Sequence, residues 1–487
     1  MKTNENKRIL ILLIFLIVLL LSPVIYLTYF TIFKAQDAIK NPANRRPALA
    51  ENSVKRGNIY DRDGKVLAYS TGEKYQYQRV YNYPVIYSHI VGYSNRIVSK
   101  YGIEKEFNEY LVGKNGSKLA KTFKSLVNKN MDLNMGDSVT LTTNTDLQKK
   151  VRQVLADNYE KGSIVMMNPK TGEILAMVSI PDFNSQNIAK DMEEINKKNN
   201  GALFNNSTLG KFAPGSVFKI VTTAAILESG ISQNYIDKGV EKVDDGREFK
   251  NSTGKAYGHI NLKTAFTKSI NTYFIRKAID VGTSIFSSVC EKFMINKDVD
   301  FDLPLEVSTW SYNRQGFDKT ALGSAGMGHD DILVTPLEMC LITSTIANEG
   351  LMMKPYLVKS IDGSDGKNIL RRNPEVLSEV MTKEHANLIR DMMVNVVNNG
   401  TGTEAYVRGY QVAGKTGTAQ FNITEGKNNA WFVGFAPADD PKVAISVVIP
   451  NIADYGGKVA APLASELLKY ALDNIKFEEV EDWGFYD

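Results

Sequence analysis

The sequence contains little cysteine and little histidine. Its 487 residues include two cysteines, Cys290 and Cys340, and four histidines. Two cysteines are too few for a disulfide framework or a cysteine-rich zinc module, and the histidines show no metal-ligand spacing. We therefore expect chemistry that uses no metal, and we expect no cofactor.

An excess of charge of one sign is also absent. The 58 Lys and Arg residues nearly balance the 54 Asp and Glu residues, which leaves a formal net charge of +4. With 43% hydrophobic and 10% aromatic residues, the composition is that of an ordinary globular protein. A disordered chain and a dedicated nucleic-acid binder are both disfavoured. At about 150 residues per domain, the length predicts two or three domains.

One long segment near the N-terminus carries no charge. Residues 9–33 are uncharged and mostly apolar, and as a helix they would span about 37 Å, more than the roughly 30 Å of a bilayer's hydrocarbon core. The segment exceeds the apolar region of a secretory signal and no A-x-A cleavage pattern follows it, so we predict a retained transmembrane anchor rather than a buried helix. Basic residues flank it on both sides, so charge counting leaves its orientation open.

Residues 34–145 form a region that is rich in tyrosine and in short β-like runs, and we interpret it as a separate pedestal domain. Its tyrosines recur mostly at every second position, which predicts strands; an aromatic binding face is the less favoured interpretation. They are Tyr75, Tyr77, Tyr81, Tyr83 and Tyr87.

The following residues predict a helix, a hairpin and a loop. Asp146 is the expected N-cap of the helix. Residues 163–179 alternate around a Pro-Lys-Thr-Gly turn and predict a β-hairpin. Residues 191–206 are rich in Lys and Asn, and we expect a solvated loop there.

The pattern Ser-x-x-Lys occurs three times, at Ser216, Ser252 and Ser364. The last two lie in glycine-rich turns, where a lysine would be solvated. Ser216 instead opens an apolar run, which places it and Lys219 on one face of a helix's first turn. A lysine with a lowered pKa can take the proton of a serine hydroxyl and activate it as a nucleophile. The alternative is a capping serine with a snorkelling lysine.

A Ser-x-Asn pattern stands at the head of a strong helix, at Ser269 and Asn271. The serine could relay a proton and the amide could hold a substrate carbonyl, while a plain N-cap is the favoured alternative on this pattern alone.

A Lys-Thr-Gly pattern begins a β-like region at Lys415. Gly417 inside that strand would let another backbone approach closely, as when an extended peptide adds along a sheet edge. Thr416 and Thr418 would then point their hydroxyls along this edge. A second copy, at Lys170, lies in the hairpin turn and is expected for backbone reasons.

In this order the three motifs resemble the signature of serine penicillin-binding proteins and class A β-lactamases. Residues 56–68, 167–184 and 334–350 are also similar to segments of class B penicillin-binding proteins, the peptidoglycan D,D-transpeptidases. The resemblance implies an α/β (α+β) fold with a β-lactamase-like transpeptidase domain at residues 146–487, in which helices flank an antiparallel sheet. A β-rich pedestal and one transmembrane helix would precede it.

The resemblance also implies roles. The hydroxyl of Ser216 would attack a stem peptide ending in D-Ala-D-Ala, and an amine of a neighbouring peptide would then complete the cross-link. β-Lactams would leave the serine acylated, and backbone N–H groups of Ser216 and Thr418 would form the oxyanion hole. The implied catalytic residues are Ser216, Lys219, Ser269 and Lys415, and the implied substrate-binding residues are Asn271, Thr416, Gly417 and Thr418.

Some positions depart from the family pattern. Ile270 replaces the Asp of Ser-Asp-Asn, which is usual in class B members and disfavours a class A β-lactamase. His329 ends a Gly-Met-Gly-His run where Gly-Gln is common, and Asn206 stands where arginine is frequent. These positions put substrate contacts around the cleft in doubt, while the nucleophile is unaffected.

The resemblance further implies a location and partners. Residues 1–8 would be cytoplasmic, and the chain after the anchor would lie outside the cytoplasmic membrane, in a short form without C-terminal appended domains. The implied partners are stem peptides, β-lactams and a membrane glycan polymerase, with no nucleic acid. A D,D-carboxypeptidase, a membrane-bound β-lactam sensor or β-lactamase, and an inactive wall-synthesis scaffold are the alternatives.

Overall fold

The structure is a computed structural model, and it describes residues 2–34, 51, 53–114, 135–243, 246–311, 319–329, 332–422 and 427–477. The α-helices of this part of the chain lie at Lys2–Tyr29 (α1), Ile103–Glu106 (α2), Asn108–Leu111 (α3), Thr145–Ala156 (α4), Ile188–Lys198 (α5), Lys219–Ser229 (α6), Leu262–Lys268 (α7), Asn271–Val281 (α8), Thr283–Lys292 (α9), Lys319–Gly326 (α10), Pro336–Ala347 (α11), Lys383–Asn399 (α12) and Gly456–Asn474 (α13). Short 3-10 turns lie at Gly215–Phe218 and Thr403–Ala405.

The strands are short near the N-terminus and longer near the C-terminus. They lie at Ile59–Tyr60 (β1), Val66–Thr71 (β2), Gln78–Tyr81 (β3), Tyr93–Asn95 (β4), Ser99–Tyr101 (β5), Ser138–Leu141 (β6), Gly162–Met167 (β7), Ile174–Ile180 (β8), Tyr235–Asp237 (β9), Val240–Lys242 (β10), Glu248–Lys250 (β11), Gly258–Ile260 (β12), Leu351–Met353 (β13), Val358–Asp362 (β14), Asn368–Arg371 (β15), Val376–Glu379 (β16), Ala413–Asn422 (β17), Lys427–Ala436 (β18) and Val443–Ile452 (β19).

The N-terminal helix α1 has the length and composition of a membrane span. Its stretch Asn6–Tyr29 has a mean hydropathy of 3.1, and a helix of this length exceeds the roughly 20 residues that cross a bilayer. A π-helical turn, Phe30–Lys34, follows it. The predicted anchor is therefore a single apolar helix that could serve as a membrane anchor.

A six-stranded sheet dominates the N-terminal region, with strand order β15-β14-β6-β1-β2-β3. Two of its strands, β14 and β15, come from residues far along the chain. Tyr81 ends β3, whereas Tyr75 and Tyr77 precede that strand and Tyr83 and Tyr87 follow it. The expectation that alternate tyrosines mark strands is thus wrong outside β3, because the other four tyrosines lie in turns, a bend or irregular backbone.

A second sheet, formed by strands between residues 162 and 452, has five strands in the order β17-β18-β19-β7-β8, and every neighbouring pair is antiparallel. Helix α11 covers one face, and helices α4 and α13 cover the other. Both faces carry buried apolar side chains, which gives one core cluster on each side of the sheet. The expected helix-flanked antiparallel sheet is confirmed, and strand β17 lies at its edge.

Of the local predictions for residues 145–206, some are confirmed and others are wrong. The hairpin is confirmed as β7 and β8. The helix begins at Thr145, and its N-cap is Asn144, whose side chain accepts from the backbone N–H of Leu147. The predicted loop is wrong for its first half, because helix α5 runs to Lys198 and is supported by the pairs Glu193–Lys197 and Glu194–Lys198.

Candidate active site

The first motif lies at the junction of a 3-10 turn and a buried helix. Ser216 belongs to the turn Gly215–Phe218, and Lys219 opens helix α6, which ends at Gly230 in a left-handed conformation. Apolar residues surround α6, so Lys219 is fully buried while Ser216 keeps part of its surface exposed. A hydroxyl one turn before a buried amine is the arrangement that the sequence predicted.

Ser269 lies between two helices and caps neither with its side chain. It ends α7 in a left-handed conformation, with φ of 56°, and the N-cap of α8 is Ile270, which makes no side-chain capping bond. The N-cap alternative is therefore wrong for Ser269. Its hydroxyl oxygen instead lies 3.2 Å from Nζ of Lys219 and 3.0 Å from Nζ of Lys415, and it joins the three motifs.

The amine of Lys219 has three oxygen partners. Besides the Ser269 hydroxyl, it donates to the Ser269 carbonyl at 2.9 Å and to Oδ1 of Asn271 at 2.8 Å. Nδ2 of Asn271 donates in turn to the carbonyl of Lys250 at 3.3 Å. In the described part of the chain no hydrogen bond joins Ser216 to Lys219.

Both lysines of the site have a pKa below the ordinary value of a lysine. Burial, and secondly the nearby Lys415, hold the pKa of Lys219 well below the ordinary value of a lysine. Burial lowers the pKa of Lys415 to about 7. The rings of Phe274 and Phe266 lie 5.1 Å from Nζ of Lys219 and 5.7 Å from Nζ of Lys415, respectively. Desolvation, more than mutual repulsion, is thus the cause of the shifts.

Strand β17 carries the third motif at the sheet edge, next to the turn of Ser216. Successive side chains alternate between the faces of a strand, so Lys415 and Gly417 share one face. A Cβ on Gly417 would lie 2.8 Å from the Pro214 carbonyl oxygen and 2.9 Å from Cγ1 of Val217. The close approach expected at this glycine is therefore made by the chain's own turn that contains Ser216, which the glycine brings against the strand.

The two threonines of β17 face the other way and have protein partners. The hydroxyl of Thr416 lies 2.6 Å from that of Thr401, and Oγ1 of Thr418 accepts from the backbone N–H of Gly456 at 3.2 Å. Thr401 was not singled out in the sequence, where it follows a glycine after α12. The run Gly-Thr-Gly-Thr at residues 400–403 matches no catalytic pattern. Only the fold brings Thr401 next to Thr416 of the third motif.

The fold therefore collects the predicted residues in one place. Lys219, Ser269, Asn271 and Lys415 are joined by hydrogen bonds, and Gly417 contacts the turn that contains Ser216. The two cysteines, Cys290 and Cys340, are free thiols and buried.

Comparison with known proteins agrees with this arrangement. Residues 162–469 match the model of the penicillin binding protein transpeptidase domain, and residues 56–139 match that of the penicillin binding protein A dimerisation domain. The chain belongs to the penicillin-binding protein transpeptidase family.

Individual relatives of this penicillin-binding protein cover almost its whole length. The peptidoglycan D,D-transpeptidase PbpA of Mycolicibacterium smegmatis is 31% identical, over 96% of this chain and 98% of that protein. The structure of penicillin-binding protein A from M. tuberculosis as a ceftriaxone acyl-enzyme has a TM-score of 0.80 and 27% identity, and the match covers 87% of this chain and 100% of that one. A D,D-transpeptidase domain from Eggerthella lenta has a TM-score of 0.77 and 33% identity, over 86% and 99% of the two chains.

The family model covers the region that contains all three motifs of this penicillin-binding protein. The second model covers β1 to β5 and the first half of β6, the part of the chain that supplies most of the six-stranded sheet. The resemblance seen in the sequence is confirmed at the level of the family and of the fold.

Proposed function

We propose that this protein is a serine D,D-transpeptidase that cross-links peptidoglycan stem peptides through an acyl-enzyme on Ser216. One observation carries the proposal: the hydroxyl of Ser269 lies within hydrogen-bond distance of both Lys219 and Lys415. A proton path between two amines whose pKa values are lowered is what serine acyl transfer needs at neutral pH.

In the first half-reaction Oγ of Ser216 attacks the carbonyl carbon of the penultimate D-alanine. Neutral Lys219 accepts the hydroxyl proton, and the bond to the terminal D-alanine nitrogen breaks. Ser269 passes a proton to that nitrogen, so D-alanine leaves as an amine and the peptide remains as an ester on Ser216. The 3.2 Å contact between Lys219 and Ser269 supports this route.

Backbone groups and the third motif would hold the substrate. A Cβ on Gly215 would lie 2.8 Å from the Thr418 carbonyl oxygen, so the backbones before Ser216 and around Thr418 are neighbours. The backbone N–H groups of Ser216 and Thr418 would stabilise the oxyanion. Lys415, Thr416 and Thr418, with Gly417 between them, would hold the terminal carboxylate, and Asn271 would orient the peptide.

In the second half-reaction the amine of another stem peptide attacks the ester, and the new amide forms as Ser216 regains its proton. Water in place of the amine would give a D,D-carboxypeptidase. Incubation with a peptide donor and an amine acceptor tells the two apart, since the transpeptidase yields mainly the aminolysis product.

The direct test of acylation is labelling with a fluorescent penicillin. We expect a stable adduct on the wild type and none on Ser216→Ala. Ser252→Ala is the matched control, because Ser252 also precedes a lysine by three residues but lies exposed in a turn. Continued labelling of Ser216→Ala would move the nucleophile elsewhere, and rapid release of the label would favour a β-lactamase.

The arrangement in the cell is part of the same proposal. Residues 1–8 would lie in the cytoplasm, residues 9–33 would span the membrane, and the pedestal (34–145) and transpeptidase domain (146–487) would face outward. The apolar helix α1 supports a membrane anchor. A membrane glycan polymerase would contact the anchor and pedestal. Protease added to intact spheroplasts should degrade residues beyond the anchor, and survival of the large domain would reverse the topology.

A further inference from the structure

A buried carboxylate lies behind the second motif. Asp237, at the end of strand β9, is 2% exposed. Its Oδ1 accepts from the N–H of Gly239 at 2.9 Å and from the hydroxyl of Thr272 at 2.7 Å. Its Oδ2 accepts from Nδ2 of Asn251 at 3.0 Å and from the N–H of Tyr257 at 2.8 Å. Each oxygen of the Asp237 carboxylate thus accepts two hydrogen bonds, and the four donors come from four different residues.

Asn251 connects this carboxylate to the start of helix α8. Its Oδ1 accepts from the backbone N–H of Thr272 at 3.1 Å and also lies 3.1 Å from the hydroxyl oxygen of Thr272, whose single proton is donated to Asp237. The N-cap of α8, Ile270, offers no side-chain acceptor. Asn251 therefore supplies from a distant loop the acceptor that a capping side chain normally provides.

The residue just before Thr272 is Asn271, the partner of Lys219. Its Oδ1 accepts from Lys219, and its Nδ2 donates to the carbonyl of Lys250, which directly precedes Asn251. The Nδ2 end of the Asn271 amide is thus held by the residue next to Asn251, while its Oδ1 end holds the amine of Lys219. Hydrogen bonds, together with the peptide bonds Lys250–Asn251 and Asn271–Thr272, thus connect Asp237 to the amine of Lys219.

We propose that Asp237, Asn251 and Thr272 form a positioning network that fixes the amide of Asn271 and, through it, the amine of Lys219 for acylation. The inference rests on the proposed acyl-enzyme function. Asp237 would not touch substrate. Its effect would come from holding an acceptor against Lys219, and misplacement of a catalytic group by a fraction of an ångström slows a reaction.

The decisive variants alter Thr272. Thr272→Val keeps the shape and removes the hydroxyl that donates to Asp237, whereas Thr272→Ser keeps the hydroxyl. We expect Thr272→Val to acylate about tenfold to a hundredfold more slowly, and Thr272→Ser to recover most of the rate. Asp237→Asn should resemble Thr272→Val, because its amide cannot accept at both oxygen positions.

The measurement is the first-order acylation rate constant with a fluorescent penicillin, from about pH 5 to about pH 9. A rate constant reports only protein that can react, so a smaller folded fraction lowers the amplitude and leaves the constant unchanged. Lys219, which faces the charged group Lys415, loses an oriented acceptor that favours its protonated form. We therefore expect the rising limb of the profile to move to lower pH in Thr272→Val and to return in Thr272→Ser.

A second buried carboxylate provides the matched control. Asp302 is 6% exposed, and it accepts from the N–H groups of Leu357 and Val358 and from Arg372, away from the motifs. Asp302→Asn should lower the melting temperature and leave the rate constant and its pH profile at wild-type values.

Two results would overturn the positioning role. One is a wild-type rate constant and profile in both Thr272→Val and Asp237→Asn. The other is an equal change in Asp302→Asn, which would make the effect general to buried carboxylates. Failure of the wild type to be acylated at Ser216 would be a different result, because it would remove the proposed function and the network's role together.

Discussion

At the scale of single residues, the site depends on two buried amines with different tasks. In the proposed mechanism Lys219 must be neutral to accept the serine proton, and Lys415 must be charged to hold a carboxylate. Burial lowers both pKa values, that of Lys415 to about 7. Acylation by the free enzyme should therefore rise with pH as Lys219 loses its proton and fall above about pH 7 as Lys415 does.

Lys415→Arg tests the falling limb. A guanidinium stays charged throughout this range, so the variant should acylate more slowly at its optimum but lose the decline above neutral pH. The measurement is the second-order rate constant for acylation by a penicillin at several pH values. A decline that persists unchanged in Lys415→Arg would assign that limb to another group.

Gly417 determines how closely the turn Gly215–Phe218, which contains Ser216, approaches strand β17. Gly417→Ala would place a Cβ against the carbonyl of Pro214 and Cγ1 of Val217. We expect it to lower the free energy of unfolding by about 1–3 kcal/mol, the usual effect of overpacking, and to slow acylation because Ser216 lies in the displaced turn. Urea unfolding and penicillin labelling measure both.

The control for that substitution is Gly363→Ala. Gly363 lies between β14 and β15, and the nearest atom to an added Cβ is the carboxylate oxygen of Asp365, at the end of a flexible side chain. Labelling by Gly363→Ala should equal that of the wild type. Wild-type labelling by Gly417→Ala as well would show that the turn tolerates displacement.

At the scale of elements, helix α11 is buried along its whole length and carries one acid. Glu338 is 3% exposed, and its Oε1 has no hydrogen-bond partner in the described part of the chain. Burial raises its pKa from 4.5 to about 8. The carboxyl therefore stays protonated in the folded protein over a pH range in which the unfolded chain is ionised.

This difference makes stability depend on pH. The contribution of Glu338 is complete below its unfolded pKa of 4.5 and is lost as the pH rises towards 8. Wild type should thus lose stability relative to Glu338→Gln over this range, with a steepest slope of about 1.4 kcal/mol per pH unit. The measurement is the free energy of unfolding of both proteins at several pH values. A difference between the two that stays constant across this range would contradict the expectation.

Elements with strong local patterns were predictable from sequence. The hairpin β7–β8 and helix α6 have apolar runs bounded by turn residues, and these runs are buried in the fold. The strand at Lys415 has no such run and was expected from the β-like runs that follow it. Helix α5 and the tyrosine-rich segment were misjudged. A Lys- and Asn-rich composition resembles a loop although charge pairs support a helix there, and alternate tyrosines occur in turns as well as in strands.

At the scale of the whole molecule, the six-stranded sheet links distant parts of the chain. Strand β14 pairs with β6, and its residues Val358 and Ile361 are fully buried. The predicted domain boundary at residue 145 stays a prediction. A chain divided at that boundary would leave β14 without its neighbour β6. Exposed strand edges with apolar side chains favour aggregation.

A truncation tests this linkage. A chain that begins at residue 146 should lose the cooperative unfolding transition and most of its penicillin labelling, whereas a chain that begins at residue 51 should keep both. Calorimetry and labelling with a fluorescent penicillin measure the outcome. Full labelling by the shorter chain would show that the larger domain folds without β1 to β6.

The amino-acid sequence by itself determined the apolar N-terminal helix, the three motifs and their order, because each depends on residues that are close together in the chain. Only the tertiary structure decided that Ser269 joins Lys219 to Lys415 and that Asp237 lies behind Asn271. Those contacts connect residues far apart in sequence, and burial, which lowers the pKa of both lysines, is a property of the packed core rather than of any local pattern.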